Sequence, residues 1–159
     1  AYFYLHFYTV NTAKLSENVW KEAEKMLEQI QKYPQKEEYQ KLVEADRINL
    51  YEREAEKGDD RKFLEETDRV FKENLKGDPA WKLYERKLVY LESKQPDISR
   101  EFERFLKKYP KVMDAYVEYS IYLCRNNKMT QAQRVYREGR KRTGMTSKRA
   151  EELRRKLGL

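Results

Sequence analysis

Hydrophobic side chains recur along the chain at spacings of three and four residues, which is the period of an α-helix that buries one face. In three segments a large apolar residue is followed four positions later by a second one, and after four more by Pro: Met26-Ile30-Pro34, Phe71-Leu75-Pro79 and Phe102-Leu106-Pro110. Tyr136-Arg140-Gly144 keeps the spacing with Arg and Gly in the later places. Because Pro disfavours helix continuation, each segment predicts a buried stripe that runs into a helix end.

A second pattern alternates with the first. It places large apolar residues at positions i, i+3 and i+7: Trp81-Tyr84-Leu88, Tyr116-Tyr119-Leu123 and, more weakly, Ile48-Tyr51-Ala55. The anchors of the first pattern are 45, 31 and 34 residues apart, and the last two steps match a helix-pair repeat of about 34 residues. Two alternating helical stripes at this period predict stacked helix pairs in which these aromatic residues form the core.

The stripes and the residues between them predict nine helices. Their approximate bounds are 2–13, 17–33, 37–57, 60–75, 80–94, 97–109, 112–127, 129–143 and 146–157. Gly58, Gly77 and Gly144 each follow a helical stripe, where a left-handed closing residue is common. Asp78 before Pro79 is typical of an N-cap with Pro at the first helical position, and Thr130 begins a capping-box pattern.

The predicted fold is therefore all-α. Short connections favour antiparallel neighbours, and we expect a right-handed α-α superhelix of about four helix pairs followed by a terminal helix. The repeats would occupy residues 1–145, and a basic helix would occupy residues 146–159. The aromatic run Ala1 to Tyr4 has the pattern of mid-helix, so the repeats are expected to be a fragment of a longer array.

Composition agrees with helices and excludes several classes of protein. Charged residues make up 40% of 159 residues, whereas Gly and Pro number only 5 and 4, too few for a β-sheet with frequent turns. The single cysteine, Cys124, excludes an internal disulfide framework. No run approaches the roughly 20 apolar residues of a membrane span, so we expect no membrane partner.

The net charge of +7 is concentrated near one end. Residues 139–159 carry eight basic and only two acidic side chains. The basic residues are Arg140, Lys141, Arg142, Lys148, Arg149, Arg154, Arg155 and Lys156. A solvated terminal helix is one interpretation, with Leu153 and Leu157 anchoring its inner face. The other is a contact surface for nucleic-acid phosphates or for an acidic protein partner.

Aromatic residues are also dense at the opposite end. Tyr2, Tyr4, Phe7 and Tyr8 form a cluster almost without charge, and they are candidates for a partner or oligomer contact. Trp20, by contrast, falls on an apolar helical stripe and is expected in the core.

The chain offers little chemistry for catalysis. His6 is the only histidine, and Cys124 has no obvious base beside it. No phosphate-binding glycine loop, nucleophile elbow or Cys-x-x-Cys motif occurs. We therefore expect a non-catalytic protein without cofactor, metal ion or small-molecule substrate.

The repeats resemble a known family. The run from Ala132 to Gly139, AQRVYREG, is similar to the second-helix motif of half-a-TPR (HAT) repeats, and Trp81 with Tyr84 resembles the first-helix W-x-x-Y. The stretch from Tyr33 to Leu75 looks like the array of the U4/U6 recycling factors. Ordinary TPR repeats fit less well, because their W-x-x-L-G-x-x-Y string is missing.

The resemblance implies a scaffold. HAT proteins organise RNA-processing particles, including splicing, polyadenylation and pre-rRNA complexes, and several of them dimerise through their arrays. A HAT array here would be nuclear and would bind other proteins of a ribonucleoprotein complex. Two alternatives are a TPR-like adaptor in mitotic-checkpoint or chaperone signalling without RNA, and a direct RNA binder that acts through the basic terminal helix.

Overall fold

The computed structural model describes residues 17–33, 37–73 and 75–159, and all regular structure within them is helical. The helices are α1 (Glu17–Gln31), α2 (Glu37–Glu56), α3 (Arg61–Lys72), α4 (Gly77–Glu92), α5 (Ser99–Lys108), α6 (Met113–Arg125), α7 (Met129–Thr143) and α8 (Lys148–Lys156). The all-α prediction is confirmed, and eight predicted helices have counterparts. The predicted helix 2–13 lies outside the described residues. The superhelical stacking of the pairs stays a prediction.

The chain divides into two compact units, with the boundary inside α3 between Glu66 and Thr67. In the first unit α1 and α2 pack on each other through a small apolar core. Its buried members are Trp20, Ala23, Leu27, Ile30, Val43 and Leu50. The four residues from α1 are spaced by three and four positions, so one face of that helix supplies them all.

An aromatic core fills the second unit. Phe102 stacks on Tyr119 with ring centroids 4.8 Å apart, and Phe105 stacks on Tyr84 at 5.2 Å. Trp81 packs edge-on against Phe105. These contacts join α4, α5 and α6, and they confirm that the repeated aromatic residues form core rather than exposed stacking platforms.

Helices α6 and α7 form a tight hairpin whose close approach depends on a glycine. A Cβ atom placed on Gly139 would lie only 2.6 Å from Cβ and Cγ of Tyr116. Only glycine lets the two backbones come this near at that position. The hairpin therefore brings the start of α6 against the end of α7.

Helix α8 packs its apolar face on the rest of the second unit. Ser147 is its N-cap and accepts a hydrogen bond from the backbone N–H of Ala150 at 3.2 Å. Leu153 and Leu157 are buried, as predicted. Tyr136 in α7 donates its hydroxyl to the carbonyl oxygen of Ala150 at 3.0 Å, which ties α8 to α7.

Two of the three predicted closing glycines are confirmed. Gly58 has φ 112° after α2, and Gly144 has φ 81° and donates its N–H to the carbonyl of Arg140 at 2.9 Å. The prediction for Gly77 was wrong, because Gly77 is the first residue of α4. A Cβ at Gly77 would approach Cγ2 of Val112 to 2.8 Å, so close packing explains this glycine better than helix closure.

Two predicted caps were also wrong. The N-cap of α4 is Lys76, and Asp78 and Pro79 both lie within the first turn. Pro is tolerated there because the first N–H groups of a helix have no intrahelical partner. The N-cap of α7 is Lys128 without a side-chain bond, so Thr130 lies inside the helix and forms no capping box.

Candidate partner-binding groove and basic surface

A groove of about 530 Å³ lies in the second unit between α5, α6 and α7. Four side chains form its floor: Tyr116, Tyr119 and Leu123 from α6, and Val135 from α7. All four are at least nine-tenths buried. The i, i+3 and i+7 spacing in α6 places its three residues along one face, so the floor follows the helix.

Hydrogen bonds fix the two tyrosines of the floor. Tyr119 donates its hydroxyl to Glu103 of α5 at 3.1 Å, and Tyr116 donates to the carbonyl oxygen of Pro110 at 3.2 Å. Burial raises the pKa of Tyr119 to about 12, and the charge of Glu103 acts in the same direction. Both rings therefore present a neutral, fixed surface to a bound group.

The charges at the rim of the groove are only partly neutralised. Lys128 pairs with Asp97 at 2.6 Å, and Arg142 pairs with Glu138 at 2.8 Å. Lys107 and Arg134 also line the groove, are exposed and make no ion pair with another described residue. Glu103, which accepts from Tyr119, also lines the groove without an ion pair to another described residue, so the four basic and three acidic lining residues leave one net positive charge at the rim.

A buried polar network holds α5, which is one wall of the groove. Lys87 is 5% exposed and its ammonium lies 2.9 Å from both Asp68 and Glu101. Tyr84 also donates its hydroxyl to Glu101, and Arg104 reaches Asp68 at 3.2 Å. The network thus connects α3, α4 and α5 through the buried Lys87, the half-buried Asp68 and Glu101, and the exposed Arg104.

The network keeps the carboxyl group of Glu101 ionised. Burial by itself raises the pKa of Glu101, but hydrogen bonds from Tyr84 and Lys87 and the positive charges of Lys87 and Arg104 bring that pKa below its usual value. No sequence pattern predicts this network, because Lys87 is 19 residues from Asp68 and 14 from Glu101, and the three share no local motif.

Three of the eight predicted basic contact residues are paired within the chain. Arg142 pairs with Glu138, Arg149 with Glu118, and Arg154 with Glu151 at 2.7 Å. Arg154 also donates to the carbonyl oxygen of Leu159 at 2.7 Å. Ion pairs within the chain therefore partly neutralise the charges of these three side chains.

The other five lie on exposed surface and make no ion pair with a described residue: Arg140, Lys141, Lys148, Arg155 and Lys156. Lys148 and Arg155 are seven residues apart on the side of α8 opposite the buried Leu153. The structure therefore places part of the predicted basic set on one outward face, where a contact with phosphates or acids stays a prediction.

Sequence reasoning missed the basic residues of α7 that precede Arg140. Arg134 and Arg137 are exposed and, together with the predicted Lys141, are spaced by three and four positions opposite the buried Val135 and Tyr136. The signal was present, since a line of basic residues opposite an apolar stripe marks an outward helix face.

The aromatic cluster predicted near the start of the chain lies outside the described residues. Its members are Tyr2, Tyr4, Phe7 and Tyr8, and His6 also lies outside them. Cys124 is half-buried, and burial raises the pKa of its thiol. A protonated thiol is a poor nucleophile.

In the part of the chain that the structure describes, no three His, Cys, Asp or Glu side chains are grouped as a metal ion would require. Within residues 17–33, 37–73 and 75–159, no helix combines the length and apolar character needed to cross a bilayer. Comparison with protein-family models, curated proteins and solved structures finds no match to this chain.

Proposed function

We propose that this protein is a non-catalytic helical scaffold that binds an acidic segment of a partner protein in the groove between α5, α6 and α7. The observation that carries the proposal is the combination of an apolar, hydrogen-bonded floor with two unpaired basic side chains at the rim. Grooves between packed helices are common docking sites for amphipathic segments.

Charge complementarity selects an acidic occupant. Lys107 and Arg134 would pair with carboxylates, while Tyr119 and the half-buried Leu106 would contact an apolar side chain between them. A basic segment would leave both cations facing like charge. The buried network around Lys87 supports the proposal indirectly, because a wall fixed before binding loses little entropy when a segment docks.

The resemblance to HAT repeats supplies the cellular setting of the proposal. It supports a nuclear scaffold in an RNA-processing complex, either a splicing particle or a pre-rRNA particle. The alternative is a TPR-like adaptor in mitotic-checkpoint or chaperone signalling, which would use the same groove without RNA.

Affinity capture from nuclear extract tests both the binding of a partner in the groove and the RNA-processing setting. The chain and the double variant Lys107→Glu/Arg134→Glu are compared, with Lys82→Glu/Arg100→Glu as a control. The control makes the same charge change at exposed positions of α4 and α5 that do not line the groove.

The proposal predicts that ribonucleoprotein proteins are captured by the chain and by the control variant, and are lost with the groove variant. Equal recovery by all three proteins would contradict binding in the groove. Recovery of only mitotic or chaperone proteins, with the same dependence on the groove, would favour the adaptor.

Direct RNA contact is a second candidate, favoured by the exposed Lys148, Arg155 and Lys156 on α8. Each phosphate contact by a cation adds about 0.7 to the salt slope of single-strand binding. The variant with all three residues changed to Glu should therefore bind single-stranded RNA more weakly and with a smaller slope. Unchanged RNA affinity and slope would remove this candidate.

A further inference from the structure

Three helix junctions lie side by side at one end of the second unit, where α3 meets α4, α5 meets α6 and α7 meets α8. A Cβ atom on Gly77, at the start of α4, would lie 2.8 Å from Cγ2 of Val112, just before α6. A Cβ atom on Gly139, near the end of α7, would meet both Tyr116 of α6 and Met145, which precedes α8. The three junctions therefore form one continuous edge of the unit.

The positive charge of the chain is concentrated at these junctions. Residues 72–78, 107–114 and 140–149 carry ten basic and three acidic side chains, an excess equal to the net charge of +7 of the whole chain. Lys76, Lys111, Lys141 and Lys148 are exposed, and none of them forms an ion pair with a described residue. The basic side chains of these three segments form a surface that we call the basic edge.

Helix stability explains only part of this charge. Basic residues in the last turns of α3, α5 and α7 complement the negative end of the helix dipole. Lys76, however, is the N-cap of α4, and Lys148 is the first residue of α8. Positive charge at a helix N-terminus opposes the dipole, so these two residues do not stabilise the helices that they begin. Their positions favour a role in binding an anionic partner.

An open hollow of about 500 Å³ lies within the basic edge, between the α3–α4 and α5–α6 junctions. Lys76, Lys108 and Lys111 line it, together with one acidic residue, Asp78. The ammonium of Lys108 donates to the carbonyl oxygen of Phe71 at 2.7 Å, which holds this cation beside the hollow. Three cations and a single carboxylate around one hollow favour an anionic group such as a phosphate.

The basic edge lacks the exposed apolar side chains that a protein partner would bury. In the described part of the chain, the large apolar side chains that are exposed are Tyr33, Tyr39, Leu42, Val89 and Met129, and none of them belongs to the three junctions. Protein interfaces have an apolar core inside a polar rim, whereas Lys and Arg contacts with phosphates dominate nucleic-acid binding. The composition of the basic edge therefore favours a nucleic acid over a protein.

We propose that the basic edge binds the sugar–phosphate backbone of a nucleic acid through contacts of its lysine and arginine side chains with phosphates. Such contacts carry no base information, so binding does not depend on sequence. Arg155 and Lys156, in the last turn of α8, are not part of the basic edge. The proposal does not rest on the groove, whose proposed partner is a protein.

Fluorescence anisotropy with a single-stranded RNA of about 20 nucleotides, measured over a series of salt concentrations, tests the proposal. The chain is compared with the edge variant Lys76→Gln/Lys111→Gln/Lys141→Gln, which removes one exposed cation from each junction. Lys82→Gln/Lys94→Gln/Arg100→Gln is the control, with the same loss of charge at exposed positions outside the three junctions. The edge variant retains both basic residues at the groove rim, Lys107 and Arg134, so failure of RNA binding does not bear on the groove.

We expect the edge variant to bind RNA about tenfold more weakly, or weaker still, near 0.1 M salt. The slope of log K against log salt concentration should become smaller by about 2, because three phosphate contacts are lost. The control should keep the slope and an affinity within about threefold of the unsubstituted chain. A second RNA of unrelated sequence should give the same values.

Nuclear magnetic resonance of the unsubstituted chain provides a measurement that does not depend on a folded variant. On titration with the same RNA, the backbone amide signals of Lys76, Lys111 and Lys141 should shift, while that of Lys94, between α4 and α5, should stay in place.

Four results would overturn the proposal. The first is no RNA binding by the chain at low salt, and the second is equal affinity and slope for the chain and the edge variant. The third is a loss confined to the variant of Lys148, Arg155 and Lys156, which would assign the contact to α8 alone. The fourth is binding of polyglutamate that depends on the edge lysines as strongly as RNA binding does, which would indicate an acidic protein instead.

Discussion

At the scale of single residues, adding a Cβ atom at Gly139 would have two opposing effects on the free energy of unfolding. Alanine favours a helix interior over glycine by about 1 kcal/mol, so propensity alone predicts that Gly139→Ala is stabilising. The new Cβ would however lie 2.6 Å from Tyr116 at the closest point of the α6–α7 hairpin. We expect overpacking to prevail, with a net loss of about 1 to 3 kcal/mol in the free energy of unfolding.

Chemical denaturation of Gly139→Ala measures this balance. Arg140→Ala, at the next position and exposed, is the control for the helix itself. A rise in the unfolding midpoint of Gly139→Ala would show that the hairpin is looser than the structure indicates.

Protonation of Glu54 is expected to change the free energy of unfolding. Burial raises the pKa of this carboxyl to about 7, and the neighbouring Glu24 acts in the same direction, while Lys62 opposes it. The folded state therefore holds the proton up to about pH 7, whereas the unfolded chain releases it near pH 4.3. The stability from this group is complete below the unfolded value and is lost as pH rises through the folded value.

We predict that the free energy of unfolding falls by about 1 to 3 kcal/mol between pH 5 and pH 8, and that Glu54→Gln removes this fall. Glu24 has a lowered pKa, so its contribution is lost only at lower pH and does not mask the effect. Urea denaturation at several pH values checks the prediction, with Glu56→Gln as the control. Parallel curves for the chain and Glu54→Gln would contradict it.

At the scale of helices, the network around Lys87 is the element most sensitive to substitution. Lys87→Met would leave Asp68 and Glu101 without their shared ammonium partner, with Arg104 as their remaining cation. Removing one member of a buried ionic network is strongly destabilising, and we expect a loss of about 2 to 4 kcal/mol.

Thermal and denaturant unfolding of Lys87→Met, compared with Lys82→Met on the exposed side of the same helix, measure this loss. The control should change stability by less than about 0.5 kcal/mol. Equal effects of the two substitutions would mean that the network does not hold α3, α4 and α5 together.

The helices themselves were predictable because their signal is local. Spacings of three and four between apolar residues were enough to locate eight helices and the buried aromatic residues Trp81, Tyr84, Tyr116 and Tyr119. The first residue of a helix was harder to predict, since Pro79 is compatible with any position of the first turn. The ionic network could not be predicted, because its partners meet only when three helices have packed.

At the scale of the whole molecule, the sequence located the basic surface but not the groove. Eight basic residues within a short stretch are visible as composition, yet their pairing with Glu118, Glu138 and Glu151 depends on the fold. The floor of the groove was predicted only as core. That Lys107 and Arg134 share the rim of one groove has no signature in the sequence, because they meet there only when α5 and α7 flank α6.

Site-specific photo-crosslinking shows whether an acidic segment of a partner protein binds in the groove. A benzophenone amino acid replaces Gln131 at the groove rim, or Val89, which is 64% exposed on α4 away from the groove, as the control. Crosslinked partners from nuclear extract are then sequenced by mass spectrometry.

We expect adducts from position 131 but not from position 89, with crosslinked peptides that combine acidic residues and an apolar side chain. Equal crosslinking from the two positions, or crosslinked peptides that are predominantly basic, would contradict it.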